Sequence, residues 1–249
     1  MLKAERHQHI LNEVSIRSRI QLSDIAESLG VSIDTIRRDV KELDDKNKLK
    51  KVHGGALSLG YNVFPFSNSE VFNKEMKAHI AQKAIGLIKE NAVILMSGGT
   101  TNLELARLLP TNLDITVFTP SLPIAMQLLA HPKADVILIG GKISKNAQLA
   151  IGAQVVQELS NIKADLCFLG TGYLDLEHGL TEFDYEVVQV KKAMIQSARR
   201  TVSLCISEKL NSVQRFKTCD IQDIDVLITE LPPEADMLMP YKSFNVNLI

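Results

Sequence analysis

The chain has 249 residues, enough for one large domain or two of ordinary size. Hydrophobic residues make up 45% and charged residues 23%, which is ordinary for a globular protein that buries a core without disulfide staples. The net charge of −1 gives no indication of a nucleic-acid partner. Residues 1–57, however, carry 11 Lys and Arg against 9 Asp and Glu, a slight basic excess that mildly favours DNA near the N-terminus.

Cysteines, histidines and apolar runs exclude several classes of protein. The three cysteines are scattered without a CxxC motif, so we expect buried thiols in a reducing compartment: Cys167, Cys205 and Cys219. The six histidines do not cluster, and we expect neither a metal site nor a cofactor. The charged first residues lack a signal-peptide core, and apolar runs such as Ala92–Met96 are too short to cross a bilayer. We therefore expect a soluble, cytoplasmic protein with no membrane partner.

The hydrophobic pattern divides the chain into three segments. Short amphipathic helical patterns fill residues 1–57, and apolar runs alternate with helical patterns over residues 73–249. Between them, residues 58–72 combine glycine, proline and small polar residues. We predict an N-terminal domain at 1–57, a linker at 58–72 and a C-terminal domain at 73–249.

Two helices are predicted at the start of the chain. Their apolar faces are Ile10, Leu11 and Val14, then Leu22, Ile25, Ala26 and Leu29. We expect Ser23 to cap the second helix, because its hydroxyl can accept a hydrogen bond from an unpaired backbone N–H. Gly30 is expected to end that helix, and Ser32 begins the next one only two residues later. This helix–turn–helix geometry allows one helix to brace another in the major groove of DNA.

The third helix is predicted to have one buried and one basic face. The buried stripe is Ile33, Ile36, Val40 and Leu43. The residues expected to face outward are Asp34, Thr35, Arg37, Arg38 and Lys41. Arginine can donate two hydrogen bonds to guanine or to phosphate, and threonine offers both a hydroxyl and a methyl group.

A basic hairpin is predicted next. Its strands are Lys46–Val52 and Ala56–Leu59, joined by a tight turn at His53-Gly54-Gly55. Such a wing contacts backbone phosphates in DNA-binding proteins. We predict DNA contacts from ten residues: Ser23, Ser32, Asp34, Thr35, Arg37, Arg38, Lys41, Lys50, Lys51 and His53. Two alternatives remain for this segment. The basic face of the third helix could simply be solvated, and winged helices also serve as protein-interaction modules.

The residues of this segment resemble the signature of one bacterial family. The matching strings are Arg6, Leu22 with Ile25-Ala26, Gly30-Val31-Ser32, Thr35-Ile36-Arg37-Arg38-Asp39 and Val52-His53-Gly54-Gly55-Ala56. In this order and spacing they resemble the DeoR family of transcriptional repressors over nearly all of residues 1–57. The resemblance implies that the helix-turn-helix binds double-stranded operator DNA.

The second segment alternates helices with buried strands. Helices are predicted near 74–89, 98–109, 121–130, 154–160 and 185–199, and strands at 92–96, 115–119, 135–139, 164–169, 201–206 and 225–229. Strands rich in Val, Ile and Leu that alternate with helices indicate an α/β domain with a mostly parallel sheet covered on both faces.

Glycines follow three of these strands and indicate a ligand site. They are found in Ser97-Gly98-Gly99-Thr100-Thr101, Gly140-Gly141 and Gly170-Thr171-Gly172. In a parallel sheet, ligands bind beyond the carboxyl ends of the strands, and the N–H groups that begin a helix attract an anion. A phosphate-bearing small molecule fits such a site, although glycines also serve simply as tight turns. Dinucleotide and nucleoside-triphosphate motifs do not occur in the sequence.

The resemblance to the DeoR family extends through this half. It is carried by Glu75, Lys77, Gly99-Thr100-Thr101, Ser121-Leu122-Pro123, Gly140-Gly141, Gly179-Leu180-Thr181, Lys191 and Lys209. The resemblance implies a domain similar to ribose-5-phosphate isomerase and CoA-transferases that senses a phosphorylated sugar. We predict that this effector contacts nine residues: Ser97, Gly98, Gly99, Thr100, Thr101, Ser121, Gly141, Gly172 and Lys209.

Three positions depart from the family pattern. Ser97 stands where relatives have Asp before Gly-Thr-Thr, Pro120 where they have Asn, and Ile206 where they have Asp three residues before the lysine. Each change removes a polar group that could hold a sugar hydroxyl. The phosphate half of the site is thus intact and the sugar-orienting half altered, which favours an unusual effector or a weakened sensor.

The leading hypothesis is a homo-oligomeric repressor of a carbohydrate operon that a phosphorylated sugar controls. The alternative is an isomerase-like enzyme with an appended DNA-binding domain, in which Glu182, Asp184 or Glu186 would supply a base. A third hypothesis is a protein-interaction scaffold.

Overall fold

The computed structural model describes residues 1–17, 19–57 and 73–249. The chain forms two compact units, Met1–Phe72 and Asn73–Ile249. The linker predicted at 58–72 lies outside the described residues, as does the end of the predicted hairpin strand at Leu59.

The first unit contains three helices and a small antiparallel sheet. The elements are α1 (Lys3–Arg17), β1 (Arg19–Gln21), α2 (Leu22–Leu29), α3 (Ile33–Asp45), β2 (Lys50–Val52) and β3 (Gly55–Leu57). The strand order is β1-β3-β2, so that β3 pairs with both of its neighbours. The helices bury the apolar stripes predicted from their spacing, with Ile10, Ile36 and Val40 fully inaccessible to solvent.

The turn between α2 and α3 follows the predicted pattern, with two corrections. Gly30 has a left-handed φ of 61°, and the Ser32 hydroxyl accepts a hydrogen bond from the Thr35 N–H at 3.2 Å. The cap predicted at Ser23 is wrong, because α2 begins at Leu22 and Ser23 therefore lies inside the helix, with Gln21 at the N-cap position. The Ser23 hydroxyl donates instead to Asp24 Oδ1 at 2.9 Å. Ile33 was expected in the core but is 45% exposed, since it is the first residue of α3 and lies at the end of the apolar stripe.

The first hairpin strand is shorter than predicted. It has three residues, and the segment before Lys50 forms turns and bends instead of strand; the second strand begins one residue earlier than predicted, at Gly55. Leu49 in that segment is 1% exposed and belongs to the core of the unit. Burial of this side chain explains why an apolar residue precedes the basic strand.

The second unit consists of helices and strands in alternation, followed by shorter elements. The strands are β4 (Ala92–Met96), β5 (Ile115–Thr119), β6 (Ala134–Leu138), β7 (Lys142–Ser144), β8 (Leu149–Ile151), β9 (Leu166–Gly170), β10 (Tyr173–Asp175), β11 (Gly179–Glu182), β12 (Thr201–Leu204), β13 (Phe216–Cys219), β14 (Val226–Ile228) and β15 (Asn247–Leu248). The α-helices are α4 (Lys74–Ile85), α5 (Thr100–Leu108), α6 (Leu122–Leu128), α7 (Ala153–Ser160) and α8 (Tyr185–Gln196). Short 3₁₀ helices occur at Ser207–Lys209, Ile221–Asp223 and Met239–Phe244.

Seven strands form the main sheet, in the order β15-β14-β12-β9-β4-β5-β6. All six pairings are parallel, which confirms the predicted α/β architecture. The central strands are buried on both faces, as in Ile94, Leu95 and Phe168, because helices cover both sides of a parallel sheet. The parallel arrangement also places the carboxyl ends of these strands along one edge.

Helices α4 and α8 end three or four residues before their predicted ends. Helix α4 stops at Ile85, and residues 86–87 form a turn in which the Leu87 N–H donates to Ala84 O at 3.0 Å. Helix α8 stops at Gln196 because the next residues pair with Ala164, whose N–H donates to Ser197 O at 2.8 Å and whose carbonyl accepts from Arg199 N at 2.9 Å.

The sequence prediction missed two small antiparallel sheets, β7–β8 and β10-β11-β13. Their strands have three or four residues, and β11 pairs with β13 more than thirty residues away. Strands of three or four residues are too short to show a periodic signal, and the pairing of β11 with β13 is in addition non-local. The second of these sheets begins at β10, directly after Gly170-Thr171-Gly172, and therefore brings β11 to the carboxyl edge of the main sheet.

Candidate functional sites

Helix α3 exposes a polar face of the predicted composition. The side chains of Arg37 and Arg38 and that of Lys41 are exposed, and Thr35 is half-buried at the start of the helix. Arg37 forms an ion pair with Asp34 one turn earlier. Because both partners are more than half exposed, this pair is weak and can be exchanged for a phosphate or a base.

The orientation of α3 depends on a carboxylate that was not among the predicted site residues. Asp39 is 2% exposed and accepts hydrogen bonds from Arg6 Nε at 2.6 Å, from Arg6 Nη2 at 3.1 Å and from His7 Nε2 at 3.2 Å. Burial by itself would raise the pKa of Asp39, but the hydrogen bonds from Arg6 and His7 and their charges hold it below its usual range. Asp39 thus joins α1 to the buried side of α3. In the sequence, the resemblance to the DeoR family at Arg6 and Asp39 was the observation that could have indicated this contact.

The hairpin carries its basic residues outward. Lys50, Lys51 and His53 are all exposed, and the Lys51 N–H donates to Asp44 Oδ1 at 3.0 Å. Gly55 must be glycine, because a Cβ there would lie 2.2 Å from the carbonyl oxygen of Ile20 in β1. The close packing of β1 on β3 therefore fixes the hairpin to the rest of the unit.

In the second unit, the predicted effector residues follow five adjacent strands. Lys209 follows β12, Gly172 follows β9, residues 97–101 follow β4, Ser121 follows β5 and Gly141 follows β6. Since these strands are parallel neighbours, all five segments lie along one edge of the sheet.

Three of these segments contact one another. A Cβ on Gly170 would lie 2.4 Å from Gly98 O, and one on Gly99 would lie 3.9 Å from the Cα of Gly170. Lys209 Nζ donates to Thr171 O at 2.7 Å. Helix α5 begins immediately after Gly99, so its first N–H groups open beside this contact.

Other predicted residues are engaged within the protein or lie farther away. Ser97 is 1% exposed, and its hydroxyl accepts from Gly170 N at 2.8 Å, which joins β4 to β9. Ser121 is 2% exposed, and its N–H donates to Thr119 Oγ1 at 3.1 Å. Gly141 follows a strand three positions from β9, about 14 Å away at the usual strand spacing, and lies against Val155.

Four buried polar residues at this edge were missing from the predicted site: Lys77, Asn102, Glu182 and Lys191. Asn102 is fully buried, and its Nδ2 lies within hydrogen-bond distance of Ser97 O at 2.9 Å and of Phe168 O at 3.2 Å. Glu182 and Lys191 form an ion pair, and Lys191 Nζ also donates to Gly170 O at 2.6 Å. Helical spacing could have found Lys77, which shares a buried face with the residues three, four and seven positions later.

Lys77 has a strongly perturbed pKa. Burial, reinforced by the positive charge of Lys209, lowers the pKa of Lys77 from 10.5 to about 7, although Glu208 and Glu104 partly oppose the change. An anion bound near Lys77 and Lys209 would favour the charged form of both. The lowered pKa of Lys77 therefore shows that two lysine side chains lie close enough at this edge for their charges to repel each other.

Within residues 1–17, 19–57 and 73–249, histidine, cysteine and carboxylate side chains do not come together in any group of three or more that could hold a metal ion. In the same ranges, none of the helices combines the length and apolar character needed to cross a membrane.

A helix-turn-helix with a basic hairpin, joined in one chain to a parallel α/β unit, is the arrangement of a transcriptional regulator with a sensor domain. Residues 6–60 match the model of the DeoR-like helix-turn-helix domain, and residues 72–231 match that of the DeoR C terminal sensor domain. The chain belongs to the DeoR family.

Relatives in this family are similar over almost their whole length. The chain is 32% identical to the HTH-type transcriptional regulator GolR of Listeria innocua serovar 6a, over 92% of this chain and 91% of that one. It is 31% identical to the HTH-type transcriptional repressor GlcR of Bacillus subtilis (94% and 92% covered) and 26% identical to the glycerol-3-phosphate regulon repressor of Escherichia coli K12 (100% and 99% covered). Among solved structures, a ribose 5-phosphate isomerase A from Methanocaldococcus jannaschii is similar over 55% of each chain, with a TM-score of 0.41 and 19% identity.

Proposed function

We propose that this protein is a repressor of a carbohydrate-metabolism operon whose affinity for its operator is controlled by a phosphorylated sugar. The observation that carries the DNA-binding part is the exposed face of α3, which presents Thr35, Arg37 and Arg38 directly after a tight turn. Similar proteins named as repressors of a glycerol-3-phosphate regulon and of an aga operon support the metabolic part.

On the DNA, the arginines of α3 and the lysines of the hairpin have different roles. Arg37 and Arg38 enter the major groove, where an arginine can donate two hydrogen bonds to guanine, while Lys50 and Lys51 of the hairpin neutralise phosphates. The lysines raise affinity for every sequence, whereas the arginines also select among sequences. The helix-turn-helix reads one half-site, so we propose a homo-oligomer on a repeated operator, to be tested by light scattering.

The decisive test is a salt titration of operator binding. The Arg37→Ala/Arg38→Ala double variant should lose affinity for DNA from upstream of its own and neighbouring genes, and the salt dependence should become less steep by about one unit for each phosphate contact removed. The matched control is Arg199→Ala/Arg200→Ala, which removes an adjacent pair of exposed arginines from the other unit. Equal affinity of the two double variants would contradict the proposed surface.

The effector is proposed to bind where the segments after β4, β9 and β12 meet. Its phosphate would lie at the N-terminus of α5, beside Gly99 and Thr100, and within reach of Lys209. A thermal-shift screen should therefore show stabilisation by sugar phosphates and not by the same sugars without phosphate. Sugar phosphates that stabilise the protein should also lower its operator affinity, because an effector acts only through a difference in affinity between two states.

We further propose that the protein acts in the cytoplasm, where operator DNA is found, and that it does not turn its ligand over. The relatives named above are regulators, which supports a sensor without catalysis. Incubation with pentose and hexose phosphates followed by product analysis tests this point, and steady formation of an isomer would favour the enzyme alternative instead.

A further inference from the structure

We infer that the ion pair between Glu182 and Lys191 binds a hydroxyl group of the effector, so that the sensor selects a polyhydroxylated phosphate over a simple phosphate. This inference rests on the proposed function, since it concerns the same ligand. It assigns the sugar-orienting role to a carboxylate that lies outside the positions expected from the family pattern.

The ion pair is buried and held in place from two sides. Glu182 ends β11 and Lys191 lies in the middle of α8, and their side chains are 10% and 6% exposed. Glu182 Oε1 accepts from Lys191 Nζ, which also donates to Gly170 O at 2.6 Å. The lysine thereby ties the carboxylate to the end of β9, at the carboxyl edge of the sheet.

Each partner has a hydrogen-bonding position left over. Within the part of the chain that the structure describes, Glu182 Oε2 accepts no hydrogen bond, and the three protons of the Lys191 ammonium have two acceptors. Glu182 Oε2 is not fully enclosed, so solvent reaches it and a ligand group can take the place of water there.

A hydroxyl group matches these two unused hydrogen-bonding positions, because it can donate to the Glu182 carboxylate and accept from the Lys191 ammonium at the same time. A phosphate oxygen can only accept at neutral pH and would be repelled by Glu182. The pair therefore suits the polyol part of a sugar phosphate and not its phosphate.

The pair also lies next to the proposed phosphate position. A Cβ on Gly172 would come within 2.6 Å of Glu182 Oε2, so the carboxylate contacts the turn Gly170–Gly172 directly. The same turn packs against Gly98 at its other end. One ligand can thus reach from the start of α5 to Glu182 across two neighbouring strands.

This placement accounts for the changes at Ser97 and Ile206. The Ser97 hydroxyl is used between β4 and β9, and Ile206 is 1% exposed, so that neither offers a polar group to a ligand. Glu182 supplies an acceptor of the same chemistry from a different strand.

The test compares ligand affinities of the full-length wild type and Glu182→Gln by calorimetry. The probes are fructose 6-phosphate, glycerol 3-phosphate, propyl phosphate, which lacks the hydroxyls of glycerol 3-phosphate, and inorganic phosphate. We expect the wild type to bind at least one hydroxylated phosphate more tightly than propyl phosphate. Glu182→Gln should weaken that binding about tenfold or more, because it replaces a charged acceptor with a neutral one, and should change affinity for propyl and inorganic phosphate less than twofold. The matched control Glu186→Gln, an exposed residue of α8, should behave as wild type with every probe.

The outcomes separate the two proposals. If the wild type binds DNA but none of the probes, the phosphorylated-sugar proposal fails and the hydroxyl site fails with it. If the wild type binds a sugar phosphate and Glu182→Gln binds it equally well, or loses all four probes alike, the hydroxyl site alone is overturned. Should Glu182→Gln not fold, Gly172→Ala provides the same test, since its methyl group would displace the carboxylate and should cause the same selective loss.

Discussion

Replacing Lys77 with methionine should stabilise the second unit near neutral pH and change its dependence on pH. Lowering the pKa of a lysine from 10.5 to about 7 costs the charged form about 5 kcal/mol, since each pKa unit corresponds to about 1.4 kcal/mol. In the unfolded chain Lys77 keeps its proton up to about pH 10, so between pH 7 and 10 the unfolded state binds more protons than the folded one. The free energy of unfolding therefore rises with pH over this range, by about 2 kcal/mol from pH 7 to pH 9 for this group alone.

The measurement is urea unfolding at pH 7, 8 and 9, followed by tyrosine fluorescence. Three of the four tyrosines, Tyr173, Tyr185 and Tyr241, belong to the second unit. The rise in stability with pH should be smaller in Lys77→Met than in the wild type, and the gain from the substitution should shrink from pH 7 to pH 9. Lys74→Met, an exposed position on the same helix, is the control and should follow the wild type. Parallel pH profiles for wild type and Lys77→Met would refute the argument, because they would mean that Lys77 has a similar pKa in the folded and unfolded chains.

Three further predictions concern caps, close packing and thiols. Ser32→Ala removes the cap of α3 and should cost about 1 kcal/mol, seen as roughly fivefold faster hydrogen exchange of the first α3 amides; unchanged exchange would show that the cap contributes nothing. Gly170→Ala should cost about 1–3 kcal/mol in urea unfolding, because its Cβ would lie 2.4 Å from Gly98 O, whereas the control Gly140→Ala has open space and should be nearly neutral. Burial raises the pKa of Cys205 and of Cys219 to about 12 and that of Cys167 higher still, so none of these thiols should react with a thiol reagent at pH 8 until urea is added. Rapid labelling of the native protein would contradict their burial.

The two units respond differently to acid. The pKa of Asp39 is held below its usual range, so its contribution to the stability of the first unit is present above about pH 4 and is lost as the pH falls further. Lys77 instead lowers stability at neutral pH. The cost comes mainly from burying the ammonium group and partly from the nearby charge of Lys209.

Local patterns in the sequence were sufficient to predict which face of α3 is buried and which is exposed. The spacing of Ile36, Val40 and Leu43 decides which face of α3 is buried, and the same period leaves Arg37 and Arg38 exposed. Gly30 and Ser32 mark the turn because left-handed backbone and helix capping depend on one residue each. Errors occurred at the ends of this pattern, at Ser23 and Ile33, where a shift of one residue changes the role of a side chain.

The parallel sheet was predictable for a related reason. Strands buried on both faces require continuous apolar runs, and the glycines after β4 and β9 mark their carboxyl ends. Because parallel strands end at one edge, the glycine segments after β4 and β9 were expected there, whereas Lys209 was assigned to the same site by the resemblance to the DeoR family. The resemblance to the DeoR family supplied the order of these segments along the whole chain.

Only the tertiary structure decided which polar groups remain available at that edge. Ser97 was expected to face a ligand, yet its hydroxyl bridges β4 and β9, because the two strand ends approach within hydrogen-bond distance. Glu182 reaches the edge through β11, which pairs with a strand more than thirty residues away, and it meets Lys191 from a helix. Burial and ion pairing of this kind arise from contacts between distant segments, so no local pattern contains them. The sequence by itself determined that this is a DNA-binding regulator with a sensor domain, and the packing of non-local strands decided which polar side chains lie at the carboxyl edge of its sheet.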